Sequence, residues 1–242
     1  PIDTGLTSSS SSASITISNT APSVDSVSLT PATVQTNDTI TATAIASDSD
    51  GDSLNLSYDW YVNGSVVQSG ASATLDGASY FDKGDSVFVS VQADDGNDTD
   101  SLASSSVTIA NTAPTVDSVV ISPAAPSNDS TLTCALTGSD DDSDVLTESF
   151  AWTNMTTGAT LGTGSTVTLS AATASNTDTI KCTATVTDDS GDTGSSSGTV
   201  TLDNRAPIAP VVSISPDPAY LNETLSCAGS GASDPEPPAS ST

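Results

Sequence analysis

Residues 47–60 read SDSDGDSLNLSYDW, and residues 139–152 read SDDDSDVLTESFAW. An acid-rich loop followed by a run ending in tryptophan therefore occurs twice, with Trp60 and Trp152 separated by 92 positions. Self-similarity at a fixed period of this size is the mark of a repeat architecture. Other segments keep the interval. NTAP stands at 19–22 and 111–114, and NRAP at 204–207. NDTITATA (37–44), NDSTLTCA (128–135) and NETLSCA (222–228) recur close to that interval, with starts 91 and 94 positions apart. So do SITISNTAP (14–22), SVTIANTAP (106–114) and TVTLDNRAP (199–207). The reading is two whole repeats, 19–110 and 111–203. Residues 1–18 carry the last strand of a preceding repeat, and 204–242 the first strands of an incomplete following one. A window cut from a longer array accounts for both ends. Completion of 204–242 by the 7–18 strand of another copy is the less simple alternative, because the middle strands of that third repeat are missing from 204–242.

Within each repeat, apolar residues alternate with small polar ones at period 2. Ile40, Ala42 and Ala44 share one face; so do Leu54, Leu56, Tyr58 and Trp60, then Val87, Val89, Val91 and Ala93, then Val107 and Ile109. This is the pattern of short, half-buried strands, punctuated by Gly, Asn, Asp and Pro. No segment shows an apolar stripe at helical spacing. About seven strands in such a length predict an all-β fold of tandem immunoglobulin-like sandwiches, about 92 residues each, joined by short Pro-containing linkers. The inward residues are small, so the core is expected to be thin and to need a staple.

Composition narrows the function. The 242 residues hold 30 acidic side chains, three basic ones and no His, for a formal charge of −27. That charge repels phosphates and anionic lipid, so neither nucleic acid nor a membrane is an expected partner. No apolar run approaches about 20 residues, which excludes membrane insertion of this segment. Without imidazole there is no ready general base or zinc ligand, and three cations can hold few anions. An enzyme is not expected, nor an organic cofactor. The 35% hydrophobic content would suit a disordered chain, but the regular alternation argues against one.

Three residue sets are candidates for chemistry. The first is cysteine. In an immunoglobulin-like sandwich the strands bearing Cys134 and Cys182 face each other across the core, with Trp152 between them in sequence, and a Cys134–Cys182 disulfide is expected. Repeat 1 has Ala42 and Val89 at the equivalent places, and Cys227, aligned with Cys134, has its partner outside the chain. The alternative is three buried free thiols. The second set is acidic. Asp48, Asp50 and Asp52, with Asp94, Asp95 and Asp98, fall in two loops expected at one end of repeat 1; Asp140, Asp142 and Asp144, with Asp188, Asp189 and Asp192, do the same in repeat 2. Converging carboxylates suit Ca²⁺, which takes 6–8 oxygens; the alternative is turn-forming, solubilising aspartate. The third set is the N-x-S/T sequons at Asn37, Asn55, Asn63, Asn97, Asn128, Asn154 and Asn222, candidates for covalent glycans, of which Asn37, Asn128 and Asn222 share one place in the repeat. The run SSSSSAS (8–14) is a candidate for O-glycans or a flexible lead-in.

The DSDGDSLNLSYDWYVNG run and the NTAP-xxx-V-xxx-P opening resemble the tandem immunoglobulin-like or PKD-like repeats of large prokaryotic cell-surface and extracellular filament proteins. The W-x-F-G-D-G expected of PKD repeats is absent: YVNG follows Trp60 and TNMT follows Trp152, so the general immunoglobulin-like repeat is the closer resemblance. The resemblance implies an extracellular or cell-surface structural protein, a stalk or filament of like repeats set end to end in one chain or a homopolymer; to this the sequons add an expectation of glycans, and the acidic loops one of calcium set against solvated turns. The alternative function is an adhesin or glycan-binding arm, for which Tyr61, Tyr80 and Phe81 are the aromatic candidates.

Overall fold

The computed structural model describes residues 11–234. Two compact units meet in sequence between Asn111 and Thr112. The first holds β1 (Ser23–Thr30), β2 (Thr39–Ser47), β3 (Asn55–Val62), β4 (Ser65–Gly70) and β5 (Thr74–Asp76). A single helical turn, α1 (Gly77–Tyr80), then leads to β6 (Ser86–Asp94), β7 (Thr99–Ala103) and β8 (Val107–Thr108). One sheet runs β1-β2-β5; the other runs β4-β3-β6-β7, with β8 also on β6. All these pairings are antiparallel. The inner faces enclose Ile40, Ala42, Tyr58, Trp60 and the valines at 87, 89 and 91, residues that the alternation places inward, together with Leu75 from β5. The Trp60 indole N–H donates to the Ser72 carbonyl at 3.1 Å, so the ring is buried without an orphaned donor.

The second domain repeats the plan. Its strands are β9 (Thr115–Ser122), β10 (Thr131–Ser139), β11 (Thr147–Asn154), β12 (Thr160–Thr163), β13 (Thr166–Thr168), β14 (Thr179–Thr187) and β15 (Thr193–Thr201). The sheets are β9-β10-β13 and β12-β11-β14-β15. Trp152 takes the place of Trp60, its indole N–H donating to the Gly164 carbonyl at 2.9 Å. On β15, Gly194 lets β9 come close: a Cβ there would overlap the Pro114 carbonyl oxygen. Repeat 1 has Asp100 at this place, and its Oδ2 accepts the Val24 N–H at 2.8 Å instead. The close approach is bridged by a side chain in one domain and made by bare backbone in the other.

Beyond Asp203 a hairpin forms from β16 (Val211–Ser215) and β17 (Ser226–Ser230). Its register pairs Ile214 with Cys227, as β9–β10 pairs Ile121 with Cys134 and β1–β2 pairs Leu29 with Ala42. The first-hairpin pairing of both domains thus recurs after Asp203. The strand expected within 1–18 is not present in 11–18, and residues 1–10 lie outside the described residues. Ile15 and Ile17 alternate as strand residues would, but they are 90% and 87% exposed. A strand needs a neighbour to take its backbone hydrogen bonds, and this segment has none. No helix among the described residues is long and apolar enough to cross a membrane.

Candidate functional site

Strand pairing fixes which loops meet. Asn55 at the start of β3 lies opposite Asp94 at the end of β6, and Thr147 lies opposite Thr187 in the same way. Each domain therefore carries both acidic loops at one end. The first loop folds alike in both. Asp48 Oδ1 accepts the backbone N–H of Asp50 at 2.8 Å and of Asp52 at 3.2 Å. Asp140 Oδ1 accepts those of Asp142 at 2.8 Å and Asp144 at 3.4 Å. The middle aspartate turns to the chain entering the domain: Asp50 Oδ2 accepts the Thr20 N–H at 2.7 Å, and Asp142 Oδ2 the Thr112 N–H at 2.6 Å. The recurring NTAP segment is thus latched to the recurring acidic loop.

The twelve candidate carboxylates do not form two full clusters. In domain 1, Asp48, Asp50 and Asp52 bring carboxylate oxygens within 4.8 Å of one another. In domain 2 the set is Asp140, Asp144 and Asp188. Asp188 is buried, at 7% exposure, and its Oδ1 accepts the Asp192 N–H at 2.8 Å. Asp94, Asp95 and Asp98 are used otherwise. Asp94 Oδ1 caps the Gly96 N–H at 2.7 Å. Asp95 Oδ1 accepts the Asn97 and Asp98 N–H groups, both at 2.7 Å. The Asn19 side-chain amide donates to both Asp95 and Asp98 at 3.0 Å. Asp189 is in neither close set, nor is Asp192, whose backbone serves the turn.

The Asp98 N–H, the Asn19 amide and the Asn97 N–H, in that order, hold the Asp95 carboxyl below its ordinary value of 3.8. A carboxyl whose folded-state pKa is lowered contributes stability above its unfolded pKa and loses it as pH falls through the folded value. Asn19→Ala is therefore expected to lower the melting temperature of domain 1 at neutral pH and to make no difference near pH about 2. Calorimetry at both pH values checks this; an equal loss at both would mean that Asn19 acts through packing alone.

Cys134 and Cys182 are joined, with Cα atoms 6.4 Å apart. Cys227 is a free, exposed thiol, not one of three buried ones. The sequons divide by burial. Asn37, Asn55, Asn63, Asn97 and Asn222 are exposed. Asn128 and Asn154 are buried in the folded chain. Asn154 is a structural knot: its amide donates to Asp178 Oδ2 at 2.7 Å and the Thr173 carbonyl at 3.2 Å, while its Oδ1 accepts the Thr156 and Thr157 N–H groups. The Asn128 position therefore breaks the expected series with Asn37 and Asn222.

Among the aromatic candidates, Phe81 is in the core, packed against Gly77, where a Cβ would lie 2.6 Å from its ring. Tyr80 is exposed. Tyr61 stacks on Phe88 across β3 and β6, ring centroids 4.5 Å apart and planes within 4°. The sequence reading missed Phe88; its signal was its place opposite Tyr61, between the inward Val87 and Val89.

No family model matches the chain, and no curated protein sequence matches it. Among solved structures, the chain is similar to three N-terminal domains of the bacteriophage RB49 Highly Immunogenic Outer Capsid protein, at 17% identity and TM-score 0.30, covering 73% of this chain and 69% of that one. It is similar to Sidekick-1 immunoglobulin domains 1–5, at 16% identity and TM-score 0.35, covering 90% of this chain and 46% of that one. It is also similar to the amphioxus IgVJ-C2 molecule, at 12% identity and TM-score 0.33, covering 71% and 99%.

Proposed function

We propose that this chain is part of an extracellular structural protein, a stalk or filament built from immunoglobulin-like modules in series. The observation that carries the reading is repetition: the same sandwich plan recurs at about 92 residues, with the same first-hairpin register in three copies. Repeats of this kind build length by adding modules, each resting on its neighbours. The junctions NTAP and NRAP are short, and the residue before each Pro favours extended backbone. A disulfide supports an oxidising compartment outside the cell. Asn37, Asn55, Asn63, Asn97 and Asn222 are the positions where N-glycans would stand clear of the core. An adhesive arm is the second reading; the outward Tyr61–Phe88 stack, next to the half-exposed Val66, favours it.

Electron microscopy of the native material tests the first reading. Uniform filaments or stalks with a regular bulge per module are the expected result. Compact particles without a periodic axis would overturn it. Intact mass of the native chain reads the glycans: mass added at the exposed asparagines is expected, and an unmodified mass would remove that part of the reading. A glycan array probed with the chain tests the second; binding lost in Tyr61→Ser would favour the arm.

A further inference from the structure

One carboxylate oxygen is treated alike in both domains. Asp48 Oδ2 and Asp140 Oδ2 are each buried, with less than 1 Å² exposed, and neither has a hydrogen-bond partner. In each case the other oxygen, Oδ1, is engaged with two backbone N–H groups of its own loop. The side chain is therefore pinned through Oδ1, and each of these aspartates belongs to a set of three whose carboxylate oxygens lie within 4.8 Å of one another. In domain 2 the arrangement goes deeper. Asp142 Oδ1 and Thr112 Oγ1 are also buried without a partner. Asp188, which closes the set from the other loop, is itself more than nine-tenths buried.

A buried carboxylate oxygen with no donor is costly, and two or three negative groups at this spacing repel one another as well. A protein that only needed turn-forming aspartates would leave these oxygens in water. The same orphan appears at equivalent positions in two separately folded units, so it is not an accident of one loop. The missing partner must be positive and small, and must accept only oxygen ligands, because no His and no thiol stands in either set. That describes a hard divalent cation. A set of carboxylate oxygens on bent loops suits Ca²⁺, which tolerates irregular geometry, better than Mg²⁺, which demands a near-ideal octahedron and sheds water reluctantly.

We propose that each domain binds a Ca²⁺ ion in its acidic loops, through Asp140, Asp144 and Asp188 in domain 2, and through Asp48, Asp50 and Asp52 in domain 1. The ion supplies the charge that the pinned oxygen lacks. In domain 2 it ties the loop after β10 to the loop after β14, joining the two sheets at one end. The proposal goes beyond the structural reading above and does not depend on it.

The test uses the full chain, stripped of metal and titrated with CaCl₂ by calorimetry. Saturable uptake of about two ions per chain is expected, with Mg²⁺ at least about tenfold weaker. Asp140→Asn and Asp48→Asn should each remove one ion. The asparagine is isosteric, and its Oδ1 can still accept the loop N–H groups, which puts the amide where the orphaned oxygen stood. Without metal, Asp140→Asn should therefore melt higher than the parent, because a donor now faces the neighbouring carboxylates. With Ca²⁺ the order should reverse. A variant that is merely misfolded would melt lower in both conditions, and that result would overturn the proposal. So would uptake that never saturates, or that disappears in about 0.5 M NaCl, since it would be diffuse screening of the net negative charge.

Discussion

Trp60→Ala is expected to destabilise domain 1 by about 3–5 kcal/mol, the usual cost of removing a large aromatic from a packed core. Trp60 is wholly buried between the two sheets. It faces Val89 across β3–β6, and Ile40, Leu75 and Val91 belong to the same apolar cluster. Little nearby can collapse into the gap, because all but Leu75 of those neighbours are β-branched residues with stiff side chains, and all four lie on paired strands. The Ser72 carbonyl would also lose its indole donor. Domain 1 has no disulfide to limit the loss, its equivalent positions being Ala42 and Val89. Since a domain's whole stability is about 5–15 kcal/mol, the change removes a large share of it. The melting temperature of domain 1 should fall on the order of 15–30 °C. Trp152 then remains as the one tryptophan, so its fluorescence follows domain 2 while circular dichroism follows both. A fall of less than about 5 °C would mean that the Trp60 site repacks freely, and the reading of this core as tightly filled would be lost.

The parts of the fold that were legible in the sequence are those fixed by period. The 92-residue interval carries the register of all three first hairpins, because one strand pairing repeats with the same turn length. Alternation at period 2 placed Ile40, Tyr58, Trp60 and the β6 valines inward, since strand geometry allows no other arrangement once one face is buried. The expected disulfide follows from the same logic, two cysteines at inward positions of facing strands. Where the reading failed, the deciding contact lay outside any strand period. Phe81 follows a single helical turn, too short to show a pattern, and enters the core because Gly77 leaves room. Asn154 matches a sequon, but its surroundings are set by Asp178 and the 170–173 turn, far away in sequence. The acidic loops were visible as composition. Their division into latching aspartates and close carboxylate sets was not, because it depends on which oxygens the Asn19, Thr20 and Thr112 donors occupy.

The second large effect is expected at the disulfide. Cys134 lies on β10 and Cys182 on β14, strands of different sheets, so the bond ties the two layers of domain 2 together. It closes a loop with a sequence separation of 48 residues. In the chain-entropy model a loop of that length is worth about 4 kcal/mol. Domain 2 has the greater need of it. Its buried apolar cluster has eight members, two of them the cysteines themselves, against twelve in domain 1. The cleanest variant copies the first domain, with Cys134→Ala and Cys182→Val together. Packing is then close to a solution the protein already uses, and most of the loss is the cross-link. Domain 2 should melt roughly 15–30 °C lower in the variant, and a reductant should have a similar effect on the parent chain while leaving the variant unmoved. The double substitution is preferred to a single one, which would leave a buried thiol and a cavity. If the variant melts within about 3 °C of the parent, the stability of domain 2 rests on its apolar core alone. The bond would then be a redox mark of where the protein resides, and a core of eight residues would suffice for this fold without a staple.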